Sequence, residues 1–479
     1  MSSLALYAEL ADTYAKAIEL GTIKLGARLP SVRELARIHS ISVSTAMQVY
    51  RTLEVAGLVQ ARPRSGYFVS APSTLSLKNS EHTVRGLPDS AHYIGIHTEV
   101  SNFVALRESG SFKYDLSQAC ATPDLYPTQA LRTHLMRALR LQPQVFSEAP
   151  PLKGDPELRA ALADHALKSG IVIDSEQILI TSGATEAINL ALKAVANAGD
   201  VIAVESPTFY GIFQVLESLG LKALEIPTHL HTGFSVDALE LALNMGVKVK
   251  AVVVVPVLQN PLGCNMPDES KQHLLKLCEK HHIALIEDDP YRDFLDPNPA
   301  LKSIKSYDKN GQVIYCTSLH KILAPGLRLG WISAGQWQAR VEMLKYAQSH
   351  NTDGLSQTVA ARFLSTHDYE RHLVRFRAAL KYSMTETLKM IDRYFPKNIT
   401  INKSLGGMQL WVELEEGSSS RQIYNQAAEQ GLLVTPGYLF SNSDKSDNCF
   451  RINTSGICSS EKEDVMKMLG DIVKKETLR

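Results

Sequence analysis

Residues 317–331 read Thr-Ser-Leu-His-Lys-Ile-Leu-Ala-Pro-Gly-Leu-Arg-Leu-Gly-Trp, which sets Lys321 three residues after Ser318 and seven before Arg328. A lysine amine can react with a carbonyl carbon. The planar guanidinium of an arginine grips phosphate with paired donors. One lysine means little by itself; its place just after a strand-like run at 312–316 singles it out. Thr181-Ser182-Gly183-Ala184-Thr185-Glu186 lies between another such run and a helical stretch. Backbone N–H groups at a helix N-terminus bind phosphate, so the Ala184 N–H and the Thr185 hydroxyl are the best-placed donors there. Gln259-Asn260-Pro261-Leu262-Gly263 and Glu287-Asp288-Asp289-Pro290-Tyr291 close two further runs. Ligands collect at the carboxyl ends of strands in open α/β sheets, where all these segments fall.

The elements that must position these groups follow from periodicity. From residue 114 onward, strand-like runs at 178–181, 201–204, 249–255, 283–287, 312–316 and 329–333 alternate with helical stretches at 184–197, 208–219 and 268–281. Residues 251–255 are apolar at every position. That pattern predicts a strand buried on both faces of a parallel sheet. Residues 336–395 read as mostly helical, and 406–479 as a smaller α+β piece with strands at 409–414 and 450–453.

Residues 1–72 follow a different plan. Leu4, Tyr7, Leu10, Ala11, Tyr14 and Ile18 have helical spacing, broken by Gly21 and Gly26. Ser31 and Glu34 form a capping box that opens a short helix over 32–38. Ser42 is the expected N-cap of a third helix, with Ala46, Val49 and Leu53 as its buried stripe and Gly57 as its stop. Residues 58–60 and 67–69 flank a turn at 63–66 and read as a hairpin. Three helices and a hairpin make a winged helix-turn-helix. Residues 73–112 lack a sustained period and read mostly as a linker, with a helix near 92–106.

At 479 residues, two or three domains are expected. Formal net charge is zero, so total charge argues for no nucleic-acid partner. Residues 1–72 carry eight Lys/Arg against five Asp/Glu, an excess compatible with phosphate contacts. The six cysteines include no Cys-x-x-Cys pair, which points to reduced thiols in a cytoplasmic protein with no metal site. Glu9, Asp12 and Lys16 interrupt 4–20, so no secretory signal is expected, and the run 251–257 is too short to span a membrane.

The head resembles the GntR family. The matching strings are Gly26-Ala27-Arg28-Leu29-Pro30-Ser31-Val32-Arg33-Glu34-Leu35-Ala36, then Ser42-x-x-Thr45, Gly57-Leu58-Val59 and Arg64-Ser65-Gly66-Tyr67-Phe68-Val69. The helix that begins at Ser42 would enter the DNA major groove by its N-terminal end. Ser42, Ser44, Thr45 and Gln48 would meet base edges or phosphates, and Arg28, Arg33, Arg62 and Arg64 would hold the backbone. Val43 stands where many GntR members place an arginine, so that family's operator code does not transfer. His39 and Tyr50 read as packing residues.

Residues 114–479 resemble the class I/II aminotransferases of fold type I, a mostly parallel α/β sheet with a smaller α+β subdomain. Joined to a GntR head, the chain looks like the MocR subfamily of regulators. The resemblance implies pyridoxal 5′-phosphate (PLP) held as a Schiff base on Lys321, with Ala184, Thr185, Ser318 and Arg328 on its phosphate. It further implies Phe209 stacked on the ring, Asn260 and Tyr291 on the phenolic oxygen, and Asp288 on the ring nitrogen. Asp288, Tyr291 and Lys321 would be the catalytic set. Arg451, in Phe450-Arg451-Ile452-Asn453, would take a substrate α-carboxylate. Two departures stand out: His320 where many relatives have serine, and Ala149 where relatives place a tyrosine on the partner's phosphate.

The expected organisation is a head over 1–72, a linker over 73–112 and a body over 113–479. Within the body, a large part spans about 145–345 and a small subdomain about 113–144 and 346–479. The expected function is a PLP-binding, homodimeric transcriptional regulator that senses an amino compound or PLP and binds DNA at paired half-sites. A working aminotransferase with an accessory DNA-binding head is the second reading. Both begin with the same step on Lys321.

Overall fold

The computed structural model describes residues 10–12, 14, 15, 18, 26–39, 41–55, 58–62, 66–69, 92, 93, 95, 97–110, 112–296, 301–402, 404, 406–458 and 460–477. The chain divides into two units, Met1–Leu87 and Pro88–Arg479.

In the first unit, the helix Val32–Ile38 starts at Ser31, whose hydroxyl accepts the Glu34 N–H at 3.2 Å. Ser42 caps the helix Val43–Val55 by accepting the Thr45 N–H at 3.0 Å. Ala46, Val49 and Leu53 form the buried stripe that their spacing required. Strands Val59–Arg62 and Gly66–Val69 pair antiparallel as the wing. Tyr50 is fully buried, stacks on Tyr67 at 4.2 Å and donates its hydroxyl to the Pro30 carbonyl. Residues 3–9 of the expected first helix lie outside the described residues; Leu10–Asp12, Tyr14, Ala15 and Ile18 are helical.

The second unit is built on one large sheet. Its strand order is His92–Tyr93, Lys222–His229, Val201–Ser206, Val249–Val254, Ala284–Asp288, Val313–Ser318, Gly330–Ser333 and Leu179–Thr181, with Gly233–Phe234 paired to Lys222–His229. The central pairs are parallel, and Gly330–Ser333 runs antiparallel to both neighbours. Along Val249–Val254, Ala251 and Val253 join one core, under helices Ala184–Val195, Tyr210–Ser218 and Gln338–Gln348. Val252 and Val254 join the opposite core, under Val236–Asn244 and Asp268–His281. A strand with side chains in two cores must be apolar at every position, as residues 251–255 are.

Two expectations need correction, and one strand was missed. Within 73–112 the helix expected near 92–106 is present as His97–Glu108, but it packs into the body and is no part of a linker. His92–Tyr93 pairs with Lys222–Ala223 at the sheet edge, and the helix His97–Glu108 buries Val100 and Phe103 against Tyr210, Leu433 and Phe440. Residues 73–91 lie outside the described residues. The strand Lys222–His229 escaped notice because Lys222, Glu225 and Pro227 interrupt its apolar run.

The subdomain boundary also moves. Helices Thr128–Leu141 and Gly354–Leu364 pack with Pro156–Lys168 around the large part's core. The divide falls inside the long helix His367–Tyr394. Tyr369, Leu373, Phe376 and Leu380 join the large part's core. Met384 and Ile391 join the small core around the four-stranded sheet of Thr400–Ile401, Gln409–Glu413, Cys449–Asn453 and Thr435–Pro436.

Candidate active site

Carboxyl-terminal strand ends meet the small subdomain around a cavity of about 330 Å³. Of the residues expected to hold a cofactor or substrate, Ala184, Thr185, Phe209, Asn260, Asp288, Tyr291, Lys321, Arg328 and Arg451 line it. Six sequence segments, spread over some 270 residues, deliver them to one place.

Lys321 and Tyr291 are joined at the centre. Lys321 Nζ donates to Tyr291 Oη at 2.6 Å, and Asn260 Nδ2 donates to the same oxygen at 3.1 Å. Asn260 uses its other end to accept from Arg451 Nη1 at 2.8 Å. Arg451 also donates through Nη2 to the Ser117 carbonyl and, at 3.1 Å, to Thr435 Oγ1. It is 1% exposed, and its Nε has no partner. No carboxylate forms an ion pair with it among the described residues, and burial lowers its pKa. A buried guanidinium with no ion-paired carboxylate is costly, so the site is suited to an anion.

Asp288 ends its strand 6% exposed, with Oδ1 unpartnered. Burial pushes its pKa up to about 7, against a lowering by the Lys321 charge and with a raising by Asp289. Geometry separates the two adjacent carboxylates. Asp289 turns away and accepts from Arg292 Nε and Tyr315 Oη, leaving Asp288 on the cavity wall. Glu205, behind the wall, accepts from Val255 N at 3.1 Å and Gln259 Nε2 at 3.3 Å; burial raises its pKa to about 8.

At the other end, Gly183 caps the helix Ala184–Val195 with φ +87, in the left-handed region that favours glycine. A Cβ there would sit 3.6 Å from Arg328 Nη2, so helix N-terminus and guanidinium share one cradle. Arg328 has no hydrogen-bonded or ion-paired partner among the described residues. Gly330 packs directly beneath: a Cβ on it would fall 2.6 Å from the Gly183 carbonyl carbon.

Ser318 is set back from the cavity wall, with its Oγ 2.5 Å from His320 Nδ1. Burial, then the charges of Lys321 and Arg328, drives the His320 pKa down to about 3, so the imidazole is neutral at ordinary pH. The ring of Phe209 has Lys321 Nζ 5.7 Å from its centroid and lies across Gly211, where any Cβ would meet it at 2.4 Å.

The cradle, the unpartnered Asp288 oxygen and the central lysine fit PLP. They match, in turn, a phosphate, a protonated ring nitrogen and an aldehyde. Sequence reading passed over several wall residues. Tyr210 packs on Phe209 and also lines the cavity. Tyr126, which is not on the cavity wall, donates to the Lys321 carbonyl at 3.3 Å. Arg107 and Glu108 come from the end of the helix expected near 92–106, inside the expected linker. Their signal was the stripe Val100, Phe103, Val104 and Arg107, diluted by an exposed Leu106 on another face.

In the head, Ser44 and Gln48 are exposed on the helix that Ser42 caps. Ser42 Oγ lies 2.7 Å from both Ser44 Oγ and Thr45 Oγ1, so three hydroxyls cluster at that helix's N-terminus. Arg33 is exposed and Arg28 lies beside the wing at Gly66. Only the backbone of Arg62 is described, and Arg64 lies outside the described residues. No group of His, Cys, Asp and Glu suited to a metal occurs among the described residues.

Residues 121–469 match the family model for aminotransferase class I and II, and residues 6–69 match that of the gntR family of bacterial regulatory proteins. The uncharacterized HTH-type transcriptional regulator YjiR of Escherichia coli is 35% identical over 98% of both chains. Aromatic-amino-acid aminotransferase 1 of Thermococcus litoralis is 28% identical over 79% of this chain and 92% of its own. A crystal structure of Pyrococcus horikoshii kynurenine aminotransferase in complex with PMP superposes with a TM-score of 0.73, at 29% identity over 79% of this chain and 94% of that one. Among the described residues no helix is long and apolar enough to cross a membrane.

Proposed function

This chain belongs to the aminotransferase class I and II family, as the body of a GntR-type transcriptional regulator, and we propose that its cavity holds PLP as the sensor of an amino compound. The observation that carries the reading is the convergence on one cavity of Lys321, hydrogen-bonded to Tyr291, with the unpartnered Asp288 oxygen and the Gly183–Arg328 cradle. Lys321 would hold the cofactor covalently. Ala184, Thr185 and Arg328 would take its phosphate, with Ser318 positioned through His320. Phe209 would cover the ring, Asp288 would meet its nitrogen, and Asn260 with Tyr291 would meet its phenolic oxygen. Bound PLP supplies an electrophilic carbon for amines and an electron sink. Arg451 would orient an incoming amino acid by its carboxylate.

The head makes DNA the partner. Ser42, Ser44, Thr45 and Gln48 at the exposed helix N-terminus, with Arg28, Arg33, Arg62 and Arg64, would be its contacts. A homodimer on paired half-sites, in the cytoplasm, completes the proposal. Met136, Leu141 and Phe146 are 60%, 55% and 75% exposed on consecutive elements, apolar surface of the kind a second copy covers. A ligand that binds two arrangements of such a dimer unequally shifts its DNA affinity.

The test is spectroscopic and then functional. Full-length protein incubated with PLP should acquire the absorbance of a lysine-bound cofactor, and Lys321→Ala should lack it. Amino compounds should then alter affinity for the DNA upstream of the chain's own gene. An unchanged spectrum refutes the cofactor reading. A cofactor that responds to amines while DNA affinity never changes refutes the sensor. Because Lys321, Asp288 and Arg451 all face the cavity, amino-group transfer is the second reading, scored by release of keto acid over repeated turnovers.

A further inference from the structure

The helix that Ser42 caps carries an apolar pair on its exposed surface. Val43 and Met47 are 53% and 44% exposed and stand one turn apart, at i and i+4, on the helix Val43–Val55. Neither belongs to the core of the head, to which the same helix gives Ala46, Val49, Tyr50 and Leu53. Among the head's described residues, the other exposed large apolar side chain is Ile38, at the end of the preceding helix. A single exposed apolar residue needs no explanation. Two of them side by side at the first turns of a helix that meets DNA are a different case.

Their surroundings are those of a nucleic-acid face. Ser44, Gln48, Arg51 and Thr52 on the same helix are exposed, and the last two place a cation and a hydroxyl one turn further on, suited to phosphate. A helix of this kind enters the major groove by its N-terminal end, and Val43 is its first residue. The hydroxyls of that turn are engaged with one another. Ser42 Oγ accepts the Thr45 N–H at 3.0 Å and lies 2.7 Å from both Ser44 Oγ and Thr45 Oγ1. Val43 takes no part in that cluster and has no side-chain donor or acceptor, so it cannot read a base edge by hydrogen bonding. In the major groove the apolar feature that distinguishes a base pair is the C5-methyl group of thymine.

We infer that Val43 is a specificity-determining residue that reads a thymine by its C5-methyl group, with Met47 lining the same contact from the next turn. The inference rests on DNA binding by the head and is independent of the PLP reading. Burying one methyl group between these side chains is worth about fourfold in affinity, roughly 0.8 kcal/mol. Guanine, adenine and cytosine offer no such group at their major-groove edges.

The experiment lets full-length protein select sites from a random-sequence duplex library. The enriched site is then resynthesised with each thymine replaced singly by uracil, which keeps the pairing and the O4 acceptor and lacks only the methyl. At least one replacement should weaken binding about fourfold in the parent. At that position Val43→Ser should bind thymine and uracil alike, whereas Val43→Ile should keep the preference. Val43→Arg should move the selected base there from thymine to guanine, which a guanidinium can grip through O6 and N7. A parent indifferent to every uracil, or uracil penalties that all survive Val43→Ser, overturns the inference and leaves DNA binding standing. If the library yields no enriched site, the head reads no bases, and the inference falls with that reading while the absorbance of bound PLP still tests the cofactor.

Discussion

Asp288→Asn should stabilise the cofactor-free protein at high pH while weakening its hold on PLP. The Asp288 carboxyl is pushed up to about 7, chiefly by burial, from an ordinary value of 3.8. Between those values the folded chain keeps a proton that the unfolded chain has lost. Folding stability therefore falls as pH rises from about 4 to about 7, and the full cost is present above 7. At about 1.4 kcal/mol per unit, the ionised group costs up to about 4 kcal/mol, and about 3 kcal/mol of this accrues between pH 5 and pH 8. Water in a cavity of about 330 Å³ can reach the carboxylate, which makes these figures ceilings. An asparagine of the same shape carries no such term.

The assay is urea denaturation of parent and variant, each without PLP, across pH 5–8. The stability difference should move in the variant's favour as pH rises, by about 1–3 kcal/mol. Other buried acids, such as Glu205, are common to both proteins and drop out of the difference. Adding PLP at pH 8 should reverse the order, because only the carboxylate balances a protonated ring nitrogen. Parallel pH profiles for the two proteins would refute the claim that Asp288 is a desolvated acid awaiting a cation. A variant that gains as much from PLP as the parent would refute the assignment of that cation to the ring nitrogen.

Other outcomes follow from the same geometry. Gly330→Ala places a methyl 2.6 Å from the Gly183 backbone, which cannot swing aside. It should cost about 1–3 kcal/mol and reduce PLP affinity by shifting the phosphate cradle, read from urea midpoints and a PLP titration. Tyr291→Phe removes the oxygen that accepts from both Lys321 and Asn260, so the absorbance of bound PLP should shift and its affinity should fall at least tenfold. An unaltered spectrum would contradict the central role of that oxygen. Ser42→Ala loses the N-cap of the helix Val43–Val55 and should destabilise the head by about 1 kcal/mol. It should also weaken DNA binding in gel shifts, without changing PLP uptake.

The legible part of the site was the part written as strand-end segments. Asn260, Asp288, Lys321 and Arg328 stand beside strands whose apolar runs are unbroken, so sequence order alone placed them on one sheet edge. The strand Lys222–His229 was not legible, and the helix His97–Glu108 was legible only as a helix near 92–106 and not as part of the body, for a shared reason. Each is held by partners distant in sequence while its own pattern is diluted: Lys222, Glu225 and Pro227 break one, and Leu106 breaks the other. Tyr126, whose hydroxyl meets the Lys321 carbonyl, gave no local signal, because its partner lies 195 residues away. The small subdomain was misdivided because one uninterrupted helix, His367–Tyr394, serves two cores.

By itself the sequence determined the class of protein: a winged-helix head, a parallel α/β body, and a lysine, a carboxylate and an arginine suited to PLP. Local rules suffice for these, since caps, apolar runs and strand-end turns act over a few residues. Only the tertiary structure decided which groups are free to act. Asp289 is held by Arg292 and Tyr315, whereas Asp288 lies on the cavity wall. Arg451 is buried without an ion-paired carboxylate among the described residues, and Arg107 is carried to the same cavity by a helix whose docking onto the body the sequence did not show. Availability depends on burial and on which partners long-range packing supplies, and neither is fixed by the neighbours of a residue along the chain.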